Sequence, residues 1–298
     1  LVLSLFAVLA ACTPVRHEVD GDLVARVRFD GNGGPLSGQN DYQLRAQMDQ
    51  SASSFGAMIW PLMYFVEGEQ LRSDALAKDA YRLEVWYAHN GWFDARFHGW
   101  SVRQLRKPGK RRSGVVEVAG VVDAGKPSVF ASFEIEGTDR TTKIFANTIR
   151  RTGYIQEGGQ FNLDSVYGTR DQLIQTLRDH ARAYARVTVD MTARASDHEV
   201  DVVFHAEPGI STTYGEIVID GQDVVAERVI RETLGFEQGE PYGVADLARA
   251  QRRLFDLGTF AVVNVQPDLS DESRAEVPVV VRVHETKFQR LRVGGGSD

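Results

Sequence analysis

Residues 214–221 read YGEIVIDG, and their ending of apolar residue, acid and glycine also closes LVARVRFDG at 23–31 and VFASFEIEG at 129–137. In the first copy Leu23, Ala25, Val27 and Phe29 share one face, and Arg26, Arg28 and Asp30 share the other. In the second, Val129, Ala131, Phe133 and Ile135 oppose Ser132, Glu134 and Glu136. A period of two is that of a strand buried on one side. The closing glycine suits a chain that leaves the strand in a backbone conformation other residues avoid. The three glycines, Gly31, Gly137 and Gly221, mark a repeat whose first copy carries an insertion.

The pattern continues outward from each strand. In the third unit, 224–234 (VVAERVIRETL) predicts a short helix stopped by Gly235. Residues 244–257 predict a second, with Leu247, Ala250, Leu254 and Leu257 on one face. Leu76, Ala80, Leu83 and Tyr87 form the equivalent stripe in the first unit, stopped at Asn90-Gly91 before Trp92-Phe93. Val166, Leu173, Leu177, Ala181 and Tyr184 form it in the second. Every unit closes on a hairpin-like pair of strands. Val279, Val281 and Val283 face inward in the third, and Val200, Val202 and Phe204 in the second. Val116, Val118 and Val122 surround Gly120 in the first, and polar turns at 107–113, 195–197 and 270–274 join the pairs. Two helices over one face of a three-stranded sheet make an α+β layer pair. Each unit is expected to keep its own core, with few contacts crossing a boundary.

This strand–helix–helix–strand–strand order resembles POTRA domains, the polypeptide-transport-associated modules of the BamA/TamA (bacterial surface antigen) superfamily of outer-membrane assembly proteins. The acid–Gly strand ends carry the resemblance, with the Gly-Glu-Pro-Tyr run at 239–242 before helix two and the Leu-Gly-Thr-Phe run at 257–260 after it. It implies an α+β chain of three tandem POTRA modules, each β-α-α-β-β with two helices on a three-stranded mixed sheet. The divisions are a signal, lipobox and linker at 1–21, POTRA 1 with its insertion at 22–125, POTRA 2 at 126–209, POTRA 3 at 210–286, and the start of a β-barrel or a tail at 287–298.

The resemblance also implies a function, that of the periplasmic substrate-docking region of an outer-membrane protein insertase or translocation protein. Its expected place is the periplasmic face of the bacterial outer membrane. The implied partners are unfolded outer-membrane or secreted proteins, envelope assembly or periplasmic partner proteins, and the outer membrane. Function would then reside in exposed sheet edges, where an unfolded client adds itself as a further strand. By resemblance the docking edge is the second strand of each module, about 95–105, 186–193 and 260–269. In the third module the docking residues are Val262, Val263, Asn264 and Val265, with Val263 and Val265 read as outward positions. The alternatives are a stand-alone lipoprotein POTRA scaffold for envelope proteins and a two-partner-secretion type transporter; the latter has two modules, against three units here.

Composition supports an exported, non-catalytic reading. Apolar residues are 43% and charged residues 25%, which excludes a disordered or collagen-like chain. With 34 Lys plus Arg against 41 Asp plus Glu the net charge is −7, so no nucleic-acid partner is expected. The single cysteine, Cys12, excludes an intrachain disulfide and a Cys-based zinc cage. It follows LVLSLFAVLAA, an uncharged run of signal-peptide length that is too short to span a bilayer. Leu9-Ala10-Ala11-Cys12 resembles a lipobox, which makes Cys12 the expected lipidation site; an ordinary secretory signal is the other reading. No initiator Met precedes Leu1, as expected of a sequence that begins inside its reading frame. At the other end FQRLRVGGGSD (288–298) is similar to the first strand of the barrel that follows such modules, or is a polar tail.

No catalytic, cofactor-binding or metal site is expected, and the chain is not read as an enzyme. The histidines at 17, 89, 98, 180, 198, 205 and 284 lack ligand spacing, and Asp197-His198-Glu199 falls in a turn. Gly31 to Pro35 (GNGGP) lacks the Gly-Lys-Ser/Thr ending that grips phosphate. The basic run 106–112 (RKPGKRR) reads as a solvated hairpin tip, with anionic lipid headgroups as its candidate partner. The apolar stretch 55–66 (FGAMIWPLMYFV) is expected to cover the first module's core or to present a patch to a partner.

Overall fold

The computed structural model describes residues 21–32, 41–53, 69–109, 113–137 and 154–286. Cys12 and the run before it, the apolar stretch 55–66, residues 110–112 of the basic run and the tail 288–298 lie outside the described residues. The elements are β1 (Leu23–Asp30), α1 (Asp41–Ala46), α2 (Ser73–His89), β2 (Arg96–Arg106), β3 (Val115–Asp123), β4 (Val129–Gly137) and α3 (Leu163–Arg178). They continue as β5 (Arg186–Arg194), β6 (Glu199–Glu207), β7 (Thr213–Asp220), α4 (Glu227–Leu234), α5 (Val244–Asp256), β8 (Phe260–Pro267) and β9 (Glu276–Glu285). The strands form three three-stranded sheets of one topology, β1-β3-β2, β4-β6-β5 and β7-β9-β8. In each the third strand of the module lies in the middle. β1 runs parallel to β3 and β7 to β9, whereas β2–β3, β5–β6 and β8–β9 are antiparallel hairpins. The chain divides into two compact units, one built on the first sheet and the other on the second and third.

The third module shows how the sequence builds the layer pair. Val277, Val279, Val281 and Val283 of β9 are buried at every second position, as the alternation requires. Onto them pack Ile230 and Leu234 of α4 and Leu247, Ala250 and Leu254 of α5. The Tyr214 ring stacks on Phe236 at 4.2 Å between centroids and meets Tyr242 at 5.4 Å. The glycine after the strand has a specific cause. Gly31 and Gly221 take φ of +86° and +89°, and a Cβ there would lie 2.0 Å from the Val122 carbonyl oxygen and 2.1 Å from that of Val283. The first strand thus ends against the central strand at a point where only glycine clears the backbone.

Two helix boundaries differ from the sequence reading. The helix expected from Val224 starts instead at Glu227. The Glu285 carboxylate accepts the amides of Asp223, Val224 and Val225 at 2.9–3.1 Å, and so holds that segment as a capping loop. In the second module α3 stops at Arg178, so Ala181 and Tyr184 do not extend its stripe. Ala181 sits at φ 58° and Tyr184 packs into the third module's core.

That displacement reveals a junction. The Ala181 amide donates to the Tyr242 carbonyl at 3.0 Å and its own carbonyl accepts from the Thr212 amide at 2.9 Å. The fully buried Thr212 hydroxyl accepts the Ala183 amide at 3.1 Å, and Asp179 Oδ1 accepts the Ala245 amide at 2.7 Å. Arg186 pairs with Glu272. The expectation that few contacts cross a boundary therefore fails between the second and third modules.

In the first module, one acid lies where the helical stripe predicts only apolar residues. Asp79 of α2 is fully buried and accepts the amides of Asp49 and Gln50 at 2.8 and 2.9 Å, with Arg82 at 2.8 Å as its counter-ion. A buried carboxylate is tolerated because both its oxygens accept hydrogen bonds and Arg82 supplies the opposite charge. Glu117 of β3 is likewise buried, 3.0 Å from both Arg28 of β1 and Arg103 of β2. The Arg28 bond, foremost, holds its pKa below the ordinary glutamate value.

Candidate docking edges

Each sheet has two outer strands, and the three modules treat them alike. One edge is covered. In the third module the Tyr214 amide donates to Glu240 O at 2.9 Å, Gly239 N–H to Tyr214 O at 2.8 Å, and Tyr242 N–H to Thr212 O at 3.1 Å. The Gly-Glu-Pro-Tyr run thus lies along the start of β7 as a short extra strand. In the second module the run 158–161 does the same to β4: Phe130 N–H donates to Gly159 O, Gly158 N–H to Phe130 O and Phe161 N–H to Ser128 O, all at 2.7–2.9 Å. In the first, Val24 N–H donates to Glu69 O, Ser53 N–H to Val24 O and Leu71 N–H to Asp22 O at the same spacing.

The opposite edges are β2, β5 and β8, each paired on one side only among the described residues. These are the strands that the sequence reading singles out. β2 and β5 are strongly exposed along their length, with Arg96, Arg103 and Arg106 on one and Arg186, Asp190 and Arg194 on the other. Charged residues on an open edge discourage indiscriminate pairing.

β8 differs in being apolar. Val262 is 57% exposed, and Asn264 is half-buried. Val263 and Val265, read from sequence as outward positions, are 8% and 6% exposed, so their side chains point into the core. The physical reason is a register shift between Phe260 and Val262 against β9, which moves the alternation by one residue. Their amides, however, do point outward. Asp268 N–H donates to Pro278 O at 2.8 Å, which sets the ladder bonds on alternate residues and turns the Val263 and Val265 amides away from β9. The Val265 amide meets the Gln251 side-chain carbonyl of α5 at 3.4 Å. Pro267, the next residue of that set, has no amide to offer.

Other chemistry is sparse. No group of three or more His, Cys, Asp or Glu side chains is arranged to hold a metal ion among the described residues. His198 stands in the β5–β6 turn at φ 53°. His205, on the outward face of β6, lies between Glu136 at 3.0 Å and Asp190 at 3.1 Å, which ties the three strands together. No described helix is long and apolar enough to cross a membrane.

Comparison with known proteins matches this architecture. Residues 212–286 match the POTRA family model, described as a surface antigen variable number repeat. Over 263 residues, 85% of the chain, the sequence is 24% identical to outer membrane protein assembly factor BamA of Neisseria meningitidis serogroup B; the chain spans 30% of that relative's length. Among solved structures, POTRA domains 3–5 of Haemophilus influenzae BamA superpose with a TM-score of 0.54 at 18% identity, covering 89% of this chain and 96% of that one. BamA from Haemophilus ducreyi lacking POTRA domains 1–3 gives a TM-score of 0.46 at 18% identity, covering 54% and 30%. Residues 212–286 match the POTRA family, and with the recurrence of one sheet topology in all three modules the chain has the fold of tandem POTRA modules, similar to the POTRA region of BamA.

Proposed function

We propose that this chain is the periplasmic docking region of an outer-membrane protein insertase, and that it receives unfolded client segments by strand addition at β2, β5 and β8. One observation carries the reading. In all three modules the first-strand edge is covered by the chain's own backbone, while the second-strand edge has no strand on its outer side among the described residues. Main-chain pairing at such an edge is nearly independent of client sequence, which suits a module that handles many partners. The chain acts by binding and has no catalytic role. Cys12 is its lipid-attachment site. Metabolic labelling with a clickable fatty acid is expected to mark the wild-type chain and to fail for Cys12→Ser; equal labelling would remove the lipid anchor from the proposal.

The probe for strand addition is a blocked eight-residue peptide that alternates valine and threonine between terminal glutamates and carries a fluorophore. The unmodified peptide is expected to bind the chain. The same peptide with N-methyl groups on alternate amides cannot form a ladder along an edge, and is expected to bind at least tenfold more weakly. Equal binding of the two peptides would overturn the proposal.

A further inference from the structure

We infer that Gln251 is a latch on the β8 edge: its side chain occupies the Val265 amide that an incoming strand needs, and so sets how tightly and how far a client pairs with the third module. The inference rests on the strand-addition reading and specifies it at one edge. Three observations support it. The first is direction. Val263 and Val265 carry the outward amides of β8, and Pro267 ends the series without one. The available docking window is therefore two residues long.

The second observation is occupancy. Gln251 Oε1 accepts the Val265 amide at 3.4 Å, so one of the two donors is already engaged by a side chain. The Val263 amide has no such partner among the described residues. A long, solvent-exposed glutamine is a reversible cap, since its amide group loses one modest hydrogen bond when it swings away. A client must displace it to extend pairing from Val263 to Val265.

The third observation identifies what displaces it. Ala248, Gln251, Arg252 and Phe255 follow one another at helical spacing on α5 and line a shallow groove floored by Val263. Phe255 is 58% exposed there and offers an apolar wall for alternate side chains of an added strand. Of the neighbouring cations, Arg249 pairs with Asp246 and Arg253 with the Leu234 carbonyl. Arg252 has no acidic partner among the described residues. Charge complementarity thus selects one occupant, an extended segment with an apolar residue against Phe255 and an acid beside Arg252.

The test uses the full chain and the glutamate-ended valine–threonine peptide, read by fluorescence polarisation. Gln251→Ala removes the cap and is expected to bind the peptide roughly three- to tenfold more tightly than wild type, the range one net hydrogen bond supplies. Amide exchange without peptide gives an independent readout. The Val265 amide is expected to exchange several-fold faster in Gln251→Ala, with the amides of the β8–β9 ladder unchanged. Replacing the peptide's glutamates by lysines is expected to weaken binding to wild type, and to matter less in Arg252→Ala. Unchanged or weaker binding by Gln251→Ala would overturn the latch, as would an unchanged Val265 exchange rate. Failure of the strand-addition reading is distinguishable, because then the N-methylated peptide binds as well as the unmodified one whatever stands at position 251.

Discussion

The Tyr214 hydroxyl makes two bonds to one residue: it donates to the Gly243 carbonyl at 2.7 Å and accepts the Gly243 amide at 3.0 Å. Tyr214 lies on β7 and Gly243 caps the start of α5, so a single phenol fastens the sheet to the helix that flanks the β8 edge. Burial raises the pKa of this phenol well above the ordinary tyrosine value, so it stays protonated and able to donate at every physiological pH.

Tyr214→Phe keeps the ring stack on Phe236 but leaves the buried Gly243 amide unpaired, while the Gly243 carbonyl keeps only the Asp246 amide at 3.2 Å. A loss of roughly 1–3 kcal/mol in the unfolding free energy is expected by urea titration. A change within error would mean that the bonds to Gly243 are replaced by solvent in the variant.

The loop ahead of α4 predicts a pH effect. Bonds from the Val225 amide, foremost, and from those of Asp223 and Val224 lower the Glu285 pKa in the folded state. A carboxylate with a depressed folded value contributes stability that is complete above the unfolded value, about 4.3, and is lost as pH falls through the folded value. The stability gap between wild type and Glu285→Gln is therefore expected to be widest at neutral pH and to shrink below pH of about 4. A gap independent of pH would show that Glu285 acts through packing alone.

Much of this architecture was legible in the residue pattern, because strands of period two and helical stripes report which face is buried. Two of the repeated acid–Gly endings mark the points where the first strand meets the central one, and the close approach at Gly31 and Gly221 shows why no other residue serves there. What stayed hidden depends on partners far away in sequence. The late start of α4 is imposed by Glu285, 60 residues on from Val225. The inward turn of Val263 and Val265 follows from a register shift against β9, which alternation within β8 alone does not encode. The buried Asp79 interrupts an apolar stripe, and its amide donors come from 29 and 30 residues earlier in the chain. The Gln251 cap joins positions 14 apart that belong to different elements, so no periodicity signals it.

The junction between the second and third modules predicts joint unfolding. Residues 126–286 are expected to melt in one calorimetric transition, with calorimetric and van't Hoff enthalpies in agreement. Thr212→Val is nearly isosteric and removes only the acceptor of the Ala183 amide, so it is expected to lower that transition by about 1 kcal/mol without splitting it. Two separate transitions in the unsubstituted fragment would show that the modules fold independently despite their shared bonds.

The central claim is that clients add to the second-strand edge of each sheet and not to the first. Residue-resolved amide exchange of the chain, with and without the valine–threonine peptide at saturation, tests it most directly. The account predicts slowed exchange at Val263 and at outward amides of β2 and β5, with no change at Tyr214, Phe130 or Val24, whose amides are already bonded to the covering runs. Peptide-dependent protection confined to β1, β4 and β7, or to the helices with the second strands unaffected, would contradict it.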